Sequence, residues 1–132
     1  MEKTLVFIKP DGVRRKIMGE LLTRFERRGF SILQLKMMML SEELVARHYE
    51  EHLQKFFYSE LKEYVMSGPI VVMVLGGANV IKIVRRMMGV TNPAEADPGT
   101  IRGDYCVEPP YNLLHASDSP EAAEREIRTF FS

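Results

Sequence analysis

Runs and alternations of apolar residues predict four β-strands. Leu5–Ile8 and Ile70–Leu75 are continuous apolar runs, which are typical of short strands buried on both faces. Every second residue from Leu33 to Met39 is apolar, with polar residues at positions 34 and 36, so this segment is predicted to be a strand with one buried face. The stretch Asn112–Ser117 is predicted to be short and extended.

Apolar residues three or four positions apart, together with capping residues, predict five helices between these strands. Gly29 is placed to end the first of them, and Ser41 is placed to cap the second. The last helix is expected to start within Asp118–Glu121, where a proline lies just inside the first turn. The predicted helices lie within Met18–Phe25, Ser41–Glu51, Phe57–Val65, Val80–Met87 and Ala123–Phe131.

The order of these elements is β-α-β-α-α-β-α-loop-β-α, in a chain of 132 residues. It predicts a single domain over residues 1–132 of the α+β class, a ferredoxin-like βαββαβ sandwich whose four-stranded antiparallel sheet carries helices on one face. Because the first and third strands are apolar on both faces, we expect another subunit to cover the second face. Residues 90–110 hold four of the seven prolines, and loops of this length are often functional.

Composition and charge narrow the classes of function. Hydrophobic residues make up 45% of the chain and charged residues 27%, which is typical of a globular protein. Eighteen basic residues balance eighteen acidic ones, which argues against binding driven by bulk positive charge, as in a general DNA coat. Cys106 is the only cysteine, so a disulfide within the chain is excluded. With no secretory or membrane-spanning pattern, we expect a cytoplasmic protein and no membrane partner.

Several common phosphate-binding and catalytic motifs do not occur. The chain has no phosphate-binding loop of the G-x-x-x-x-G-K-S/T type, no protein-kinase catalytic loop and no G-x-S-x-G motif. Phosphate chemistry would therefore depend on individual basic side chains. Most of these are typical of solvated surfaces, but Lys9 ends a predicted buried strand and Arg102 lies in a glycine-flanked loop. His48 and His52 have the spacing of a metal-binding pair, yet no third ligand is indicated, and no metal site is predicted on the chain.

His115 lies on a short apolar strand directly before the last helix. On spacing alone, the more common interpretation is a half-buried histidine whose ring is satisfied by one hydrogen bond. Glu126 falls near the apolar face of the following helix, where a carboxylate costs free energy unless it is paired. We therefore expect a His115–Glu126 hydrogen bond, which would fix the imidazole tautomer and leave its other nitrogen free to act as a nucleophile.

Four segments, in order, resemble those of nucleoside diphosphate kinases. Asn112–Ser119 resembles the N-x-x-H-G/A-S-D-S active-site segment of that family, and Lys9–Val13 is similar to its K-P-D-G/A-V segment. Thr91–Pro93 and Gly99–Asp104 resemble two further family segments, and the likeness extends over Thr4–Phe131.

The resemblance implies a ping-pong transfer of the γ-phosphoryl group from a nucleoside triphosphate such as ATP to a nucleoside diphosphate, through a phosphohistidine at His115. Ser117 and Glu126 would be partners of His115, and Phe57 would stack on the base. Mg²⁺ would arrive with the nucleotide, bound mainly by its phosphates and water. The residues implied to contact phosphates or ribose are Lys9, Tyr49, Arg85, Thr91, Arg102 and Asn112.

The resemblance further implies a homo-oligomer, a hexamer or a tetramer, although the sequence leaves a dimer open. Lys55-Phe56 and Pro109–Tyr111 depart from the family pattern in two loops. The alternative from another class is a ferredoxin-like RNA-binding module. Arg28–Phe30 opens like the aromatic strand motif of RNA-recognition domains, but Ser31–Leu35 lacks the later aromatics, and no specific nucleic-acid partner is expected.

Overall fold

The computed structural model describes all residues from 1 to 132, arranged as seven α-helices around four strands. Two short 3₁₀ turns, Glu50–His52 and Pro93–Glu95, lie in the connections. No helix is both long enough and apolar enough to cross a membrane. In chain order the elements are β1 Lys3–Ile8, α1 Pro10–Arg14, α2 Met18–Arg28, β2 Ser31–Met38, α3 Glu42–His48, α4 Tyr58–Val65, β3 Ile70–Gly76, α5 Val80–Met88, α6 Ile101–Tyr105, β4 Leu114–Ala116 and α7 Pro120–Phe131.

The strands form one antiparallel sheet in the order β2-β3-β1-β4. β1 lies in the interior of the sheet, where Phe7 is paired with Val72 of β3 on one side and with His115 of β4 on the other. This arrangement confirms the four-stranded antiparallel sheet and the ferredoxin-like α+β class. It also places the strand that carries His115 directly beside the strand that ends just before Lys9.

Helices of the same chain cover both faces of the sheet. Val6 and Ile8 pack into a core with residues of α2 and α5, whereas Leu5 and Phe7 pack into a second core with residues of α3, α4 and α7. The expectation of helices on one face, with another subunit over the second, differs from the structure at this point. The continuous apolar run of β1 correctly indicates two buried faces, but α3, α4 and α7 supply the second cover.

The apolar row of β2 is exposed, whereas its alternation predicts a buried face. Leu33, Leu35, Met37 and Met39 have exposed fractions of 42%, 49%, 53% and 56%. β2 is an edge strand, and its register against β3 shifts between Ile32 and Gln34. Alternation identifies residues that share a face but does not reveal whether the same chain covers that face.

The long loop 90–110 is held in a defined shape by local caps. The Thr100 hydroxyl accepts a hydrogen bond from the Gly103 amide at 3.0 Å and donates one to the Asp97 carbonyl at 2.6 Å. A Cβ at Gly103 would collide with the Asp97 backbone, so glycine is required there. These contacts fix α6, and with it Arg102, against the end of β4.

Candidate active site

His115 extends from β4 and is anchored by a buried carboxylate. Its Nε2 lies 2.7 Å from Oε1 of Glu126, and the Ser117 hydroxyl donates to the same oxygen at 2.8 Å. Burial is the largest single influence on Glu126 and opposes its ionisation, but the hydrogen bond and charge of His115, together with His48 and Ser117, outweigh it and hold the pKa of the carboxyl below its usual value. The predicted His115–Glu126 hydrogen bond is therefore confirmed. Because Glu126 accepts from Nε2, the nitrogen left for chemistry is Nδ1.

Two aromatic rings hold the His115 imidazole in place. Phe7 stacks on it with ring centroids 5.1 Å apart, and the ring of His48 meets it edge-on at 4.5 Å. Burial, and after it the neighbouring His115, lowers the pKa of His48 to about 3, so His48 is neutral at physiological pH. Neither Phe7 nor His48 was predicted as a site residue. The cross-strand pairing of Phe7 with His115 becomes visible only when the register of β1 and β4 is known.

Lys9 brings a buried amine to the same side of the sheet as His115. It follows β1 two residues after Phe7, and its backbone amide donates to the Leu113 carbonyl at 2.7 Å. Its Nζ donates to Oδ1 of Asn112 at 2.8 Å. Burial, followed by the charge of Arg102, lowers the pKa of Lys9 to about 8. Lys9 is therefore mostly charged at neutral pH and close to its titration range.

The segment between Asn112 and β4 has an unusual backbone. Leu113 has a φ of 69°, in the left-handed region that residues other than glycine rarely adopt. Such a conformation costs about 1–3 kcal/mol and persists where surrounding contacts hold it. Here the Arg102 side chain donates to the carbonyls of Asn112 and Leu114, on either side of Leu113. The backbone amide of Lys9 donates to the carbonyl of Leu113 itself. These two basic residues therefore stabilise the bend that directs the Asn112 side chain to Lys9.

Arg102 is buried and already makes three hydrogen bonds within the chain. Its guanidinium donates to the carbonyls of Asn112, Gly89 and Leu114 at 3.0, 3.1 and 2.8 Å. Burial lowers the pKa of Arg102, and the charge of Arg85 lowers it further, but a guanidinium stays charged at physiological pH. Arg102 consequently has a structural role that its place in a glycine-flanked loop does not reveal.

This bonding pattern makes Arg102→Lys a test of stability. A lysine keeps the charge but cannot reach three carbonyls at once, so we expect the free energy of unfolding to fall by about 2–4 kcal/mol. Urea denaturation measures the loss. Arg85→Lys is the control, because Arg85 is exposed and donates to a single carbonyl, that of Ala116 at 3.0 Å. Equal stability of the two variants would contradict the structural role of Arg102.

The remaining predicted residues lie at different distances from this hydrogen-bonded cluster. Tyr49 is buried, its hydroxyl has no hydrogen-bond partner, and its ring lies against His48 with centroids 4.5 Å apart. Burial raises the pKa of that hydroxyl, so it remains a donor. Phe57 is half-buried directly before α4 and contacts His52, with centroids 5.3 Å apart. Thr91 is exposed and makes no side-chain hydrogen bond, so nothing within the chain joins it to the cluster.

A cavity lined partly by α5 does not coincide with this cluster. It measures about 1020 Å³ and includes only Arg85 among the predicted site residues. Acidic and basic side chains are mixed in its lining, which includes Lys82, Glu95 and Asp118. The hydrogen-bonded cluster around His115 therefore lies outside this cavity, apart from Arg85.

One group of side chains has the spacing of a metal site. Nitrogen or oxygen atoms of His48, His115 and Glu126 all lie within 4.8 Å of one another. However, Glu126 already accepts two hydrogen bonds through one oxygen, and the charges of Lys9 and Arg125 act on His48. Nearby positive charge and a nitrogen-rich ligand set both disfavour a hard cation such as Mg²⁺ there.

Comparisons with known proteins agree on one family. A family model described as "Nucleoside diphosphate kinase" matches residues 2–132. A nucleoside diphosphate kinase of Archaeoglobus fulgidus is 53% identical over 100% of this chain and 87% of its own length. One of Methanocorpusculum labreanum is 54% identical over 100% of this chain and 89% of its own length.

Solved structures give the same result. A halophilic nucleoside diphosphate kinase from Halobacterium salinarum, in complex with CDP, superposes with a TM-score of 0.97 at 44% identity. The match covers 99% of this chain and 88% of that one. The apo enzyme from Encephalitozoon cuniculi also superposes with a TM-score of 0.97, at 38% identity over 99% of this chain and 89% of the other.

Proposed function

We propose, from the premise that this chain belongs to the nucleoside diphosphate kinase family, that the hydrogen-bonded cluster around His115 is its catalytic centre. The chain is a phosphotransferase that moves a phosphoryl group from a nucleoside triphosphate to a nucleoside diphosphate by the ping-pong mechanism of that family. The observation that carries the residue assignment is the His115 ring. One of its nitrogens is held by Glu126, and the other is left without an intramolecular partner.

The proposed reaction has two matching halves at Nδ1 of His115. Nδ1 attacks the γ-phosphorus in line, the N–P bond forms, and the bond from that phosphorus to the β–γ bridging oxygen breaks. The nucleoside diphosphate then leaves. In the second half a terminal oxygen of the acceptor diphosphate attacks the same phosphorus, the new O–P bond forms, and the N–P bond breaks, which returns Nδ1 to its free form. Glu126 keeps the proton on Nε2 and stabilises the positive charge that the ring gains when its other nitrogen bonds phosphorus.

Basic and polar side chains around His115 are proposed to bind the phosphates. Phosphoryl transfer mainly requires positioning and positive charge on the spreading oxygens. Lys9 and Arg85, whose side chains each make one hydrogen bond to a neutral oxygen, supply positive charge, and Arg102 adds charge while holding the chain around Asn112. Tyr49, whose buried hydroxyl has no partner within the chain, and Thr91 are the remaining proposed contacts.

Phe57 is proposed to stack on the base, a contact that tolerates every base because each presents a π-face. Phe57, directly before α4, contacts the ring of His52, and that ring also contacts Tyr49. This contact, together with the phosphate contacts, predicts broad nucleotide specificity. Nucleoside di- and triphosphates of different bases are accordingly the proposed ligands.

The ligating side chains of the site indicate how Mg²⁺ would bind. Its three clustered ligating side chains are two imidazoles and one carboxylate, and that carboxylate is already hydrogen-bonded. Mg²⁺ prefers an octahedron of oxygens and keeps several waters. We propose that Mg²⁺ binds through the nucleotide phosphates and water, where it neutralises their charge, while Lys9 and the arginines act on the remaining oxygens.

Initial-rate kinetics with two different nucleotides test the function directly. Varying a triphosphate donor at several concentrations of a diphosphate acceptor is expected to give parallel double-reciprocal lines, because donor product leaves before the acceptor enters. Intersecting lines would mean direct transfer between two bound nucleotides and would contradict the covalent intermediate. Testing acceptors with several bases checks the role of stacking.

We also propose a homo-oligomer, a hexamer or a tetramer, with β2 in an interface between subunits. Four apolar side chains in a row on an exposed edge strand are typical of a surface that another chain covers. That the chain is cytoplasmic and forms one domain over residues 1–132 is proposed as well, and the continuous sheet supports the single domain.

The double variant Leu35→Lys/Met37→Lys tests this interface. The parent is expected to sediment as a multimer of the 15.2 kDa chain and the variant as a smaller species, since two charges would be buried without partners. Sedimentation velocity measures both. Gln34→Lys is the matched control, because Gln34 lies on the same strand with the opposite parity. A monomeric parent, or a variant that assembles normally, would contradict the proposal.

The RNA-binding alternative is not favoured. RNA-recognition domains bind bases on aromatic side chains of an open sheet face. In this chain one face of the sheet is covered by α2 and α5, and the other by α3, α4 and α7. The family match points to nucleotide phosphotransfer instead.

A further inference from the structure

Two buried residues outside the proposed site, Asp11 and Tyr64, are hydrogen-bonded to each other, and the ring of Tyr64 lies against the amine of Lys9. The Tyr64 hydroxyl donates a hydrogen bond to Oδ1 of Asp11, and Lys9 Nζ lies 5.6 Å from the centre of the Tyr64 ring, over its face. Both residues are only 7% exposed. We propose that Asp11 and Tyr64 are positioning residues that keep the Lys9 amine protonated and directed toward the transferred phosphate. The proposal rests on the phosphate-binding role proposed for Lys9.

Lys9 needs this support because its surroundings otherwise favour the neutral amine. Burial removes water from the ammonium group, and the charge of Arg102 repels it. Together they lower the pKa of Lys9 to about 8. A neutral Lys9 could not stabilise negative charge on the γ-phosphate oxygens. Small changes in its surroundings therefore change how much of the enzyme is active near neutral pH.

Asp11 is the one carboxylate among the groups that act on the Lys9 amine. It raises the pKa of Lys9, opposing burial and Arg102. Its Oδ2 is buried and has no hydrogen-bond partner, which is costly for a carboxylate unless a nearby positive charge compensates it. The ammonium group of Lys9, which lies over the ring of the same Tyr64 that holds the other oxygen, is the proposed source of that charge. An electrostatic role toward Lys9 would account for the unpaired oxygen.

Tyr64, on α4, contacts both Lys9 and Asp11. Its ring face attracts the ammonium group, and its hydroxyl holds one oxygen of Asp11. Burial, and after it the hydrogen bond to Asp11, raises the pKa of Tyr64, so the hydroxyl keeps its proton. The arrangement of Lys9, Asp11 and Tyr64 depends on the tertiary fold and not on one local segment. Tyr64 is separated from Asp11 by 53 positions in the sequence.

The other titratable groups around Lys9 come from two further elements. Arg102 lies on α6 and opposes the charge, and Cys106 follows that helix and acts weakly in the opposite direction. His48 on α3 is also within electrostatic range, but its pKa of about 3 keeps it neutral. The side-chain oxygen of Asn112 accepts from Lys9 and does not titrate. Asp11 is thus the group whose removal changes the charge balance most directly.

The test is a pair of pH titrations on Asp11→Asn, a substitution that retains an oxygen for Tyr64 to bind. One titration follows kcat/KM, and the other follows the Lys9 amine by NMR of lysine-labelled protein, its signal assigned by its loss in Lys9→Arg. Both midpoints are expected to move to lower pH by about one unit, as when an opposite charge is removed. Activity below the midpoint is retained, and activity well above it falls about tenfold. Tyr64→Phe, which keeps the ring, is expected to shift in the same direction by less.

Glu60→Gln is the control, because it removes an exposed carboxylate from the same helix as Tyr64 and should shift neither midpoint. The proposal is overturned if the Lys9 midpoint is unchanged in Asp11→Asn, or if kcat/KM falls equally at every pH, as for a purely structural role. Should Asp11→Asn fail to fold, Tyr64→Phe gives the same two readouts. The NMR midpoint does not depend on turnover, so failure of this inference is distinguishable from failure of the proposed function.

Discussion

Replacing His115 by alanine is expected to reduce phosphoryl transfer by at least about 10⁴-fold in kcat, the scale seen when an enzyme loses its nucleophile. His115 is the histidine of the cluster whose ring is held by a carboxylate at one nitrogen while the other nitrogen has no partner within the chain, whereas the unpaired Nδ1 of His48 is buried. Removing the His115 side chain leaves the phosphate-binding side chains in place, so nucleotide affinity should change little. Coupled assays of triphosphate production and direct nucleotide titration measure the two effects separately.

His52→Ala is a suitable control for this variant. It deletes the same side chain at a histidine that lies beside Phe57 and outside the hydrogen-bonded cluster. Its kcat should stay within about tenfold of the parent, because His52 contacts Tyr49 and Phe57 and not the ring of His115. Comparable losses in both variants, or full activity of His115→Ala, would contradict the assignment of the nucleophile.

Glu126→Gln is expected to lower kcat by about 10²-fold with little change in KM. Glutamine fits the same space, but it lacks the negative charge that stabilises the ring as Nδ1 becomes bonded to phosphorus. The hydrogen bond to His115, which holds the pKa of Glu126 low, is the same interaction that the variant weakens. Because Glu126 lies behind the ring and not at the phosphates, the effect should appear in kcat.

Glu124→Gln provides the matched control on the same helix. Glu124 is exposed and pairs with Arg128 at 2.7 Å, so its replacement should leave both constants unchanged. If Glu126→Gln retained the parental kcat, the carboxylate would have only a structural role. A rise in KM without loss of kcat would instead place Glu126 at the nucleotide.

Five of the seven helices and most strands could be predicted because their signals are local, whereas α1 and α6, of five residues each, were not predicted. The stripe in α2 and its end at Gly29, which has a φ of 106°, depend on residues within a few positions of one another. The caps at Ser41 and Ser119 likewise accept backbone hydrogen bonds three residues ahead. Local steric and hydrogen-bonding preferences depend on the residue types themselves, so they can be predicted from a short stretch of sequence.

The exposure of the apolar row on β2, and the helices that cover each face of the sheet, could not be predicted in this way. Leu35 and Met37 share a face with core residues of β3, but the edge position leaves them beyond the reach of α2 and α5. Which elements meet over a sheet is a property of the assembled chain. The pattern of apolar residues therefore predicted burial but not what would cover each surface.

The candidate site shows the same division. His115 and Glu126 lie 11 positions apart in adjoining elements, so their hydrogen bond could be predicted from spacing. Asp11 and Tyr64, the stacking of Phe7 on His115, and the three carbonyls on Arg102 depend on contacts between distant segments. A short sequence motif marks the reacting residue, but the fold determines what surrounds it.

The most direct measurement is whether the protein itself becomes phosphorylated during the reaction. After incubation with γ-labelled ATP and removal of nucleotide, we expect acid-labile, base-stable label on the peptide containing His115. Adding a nucleoside diphosphate should then transfer that label to a triphosphate. Absence of label from the parent, or label that persists in His115→Ala, would contradict the proposal that this imidazole carries the phosphoryl group.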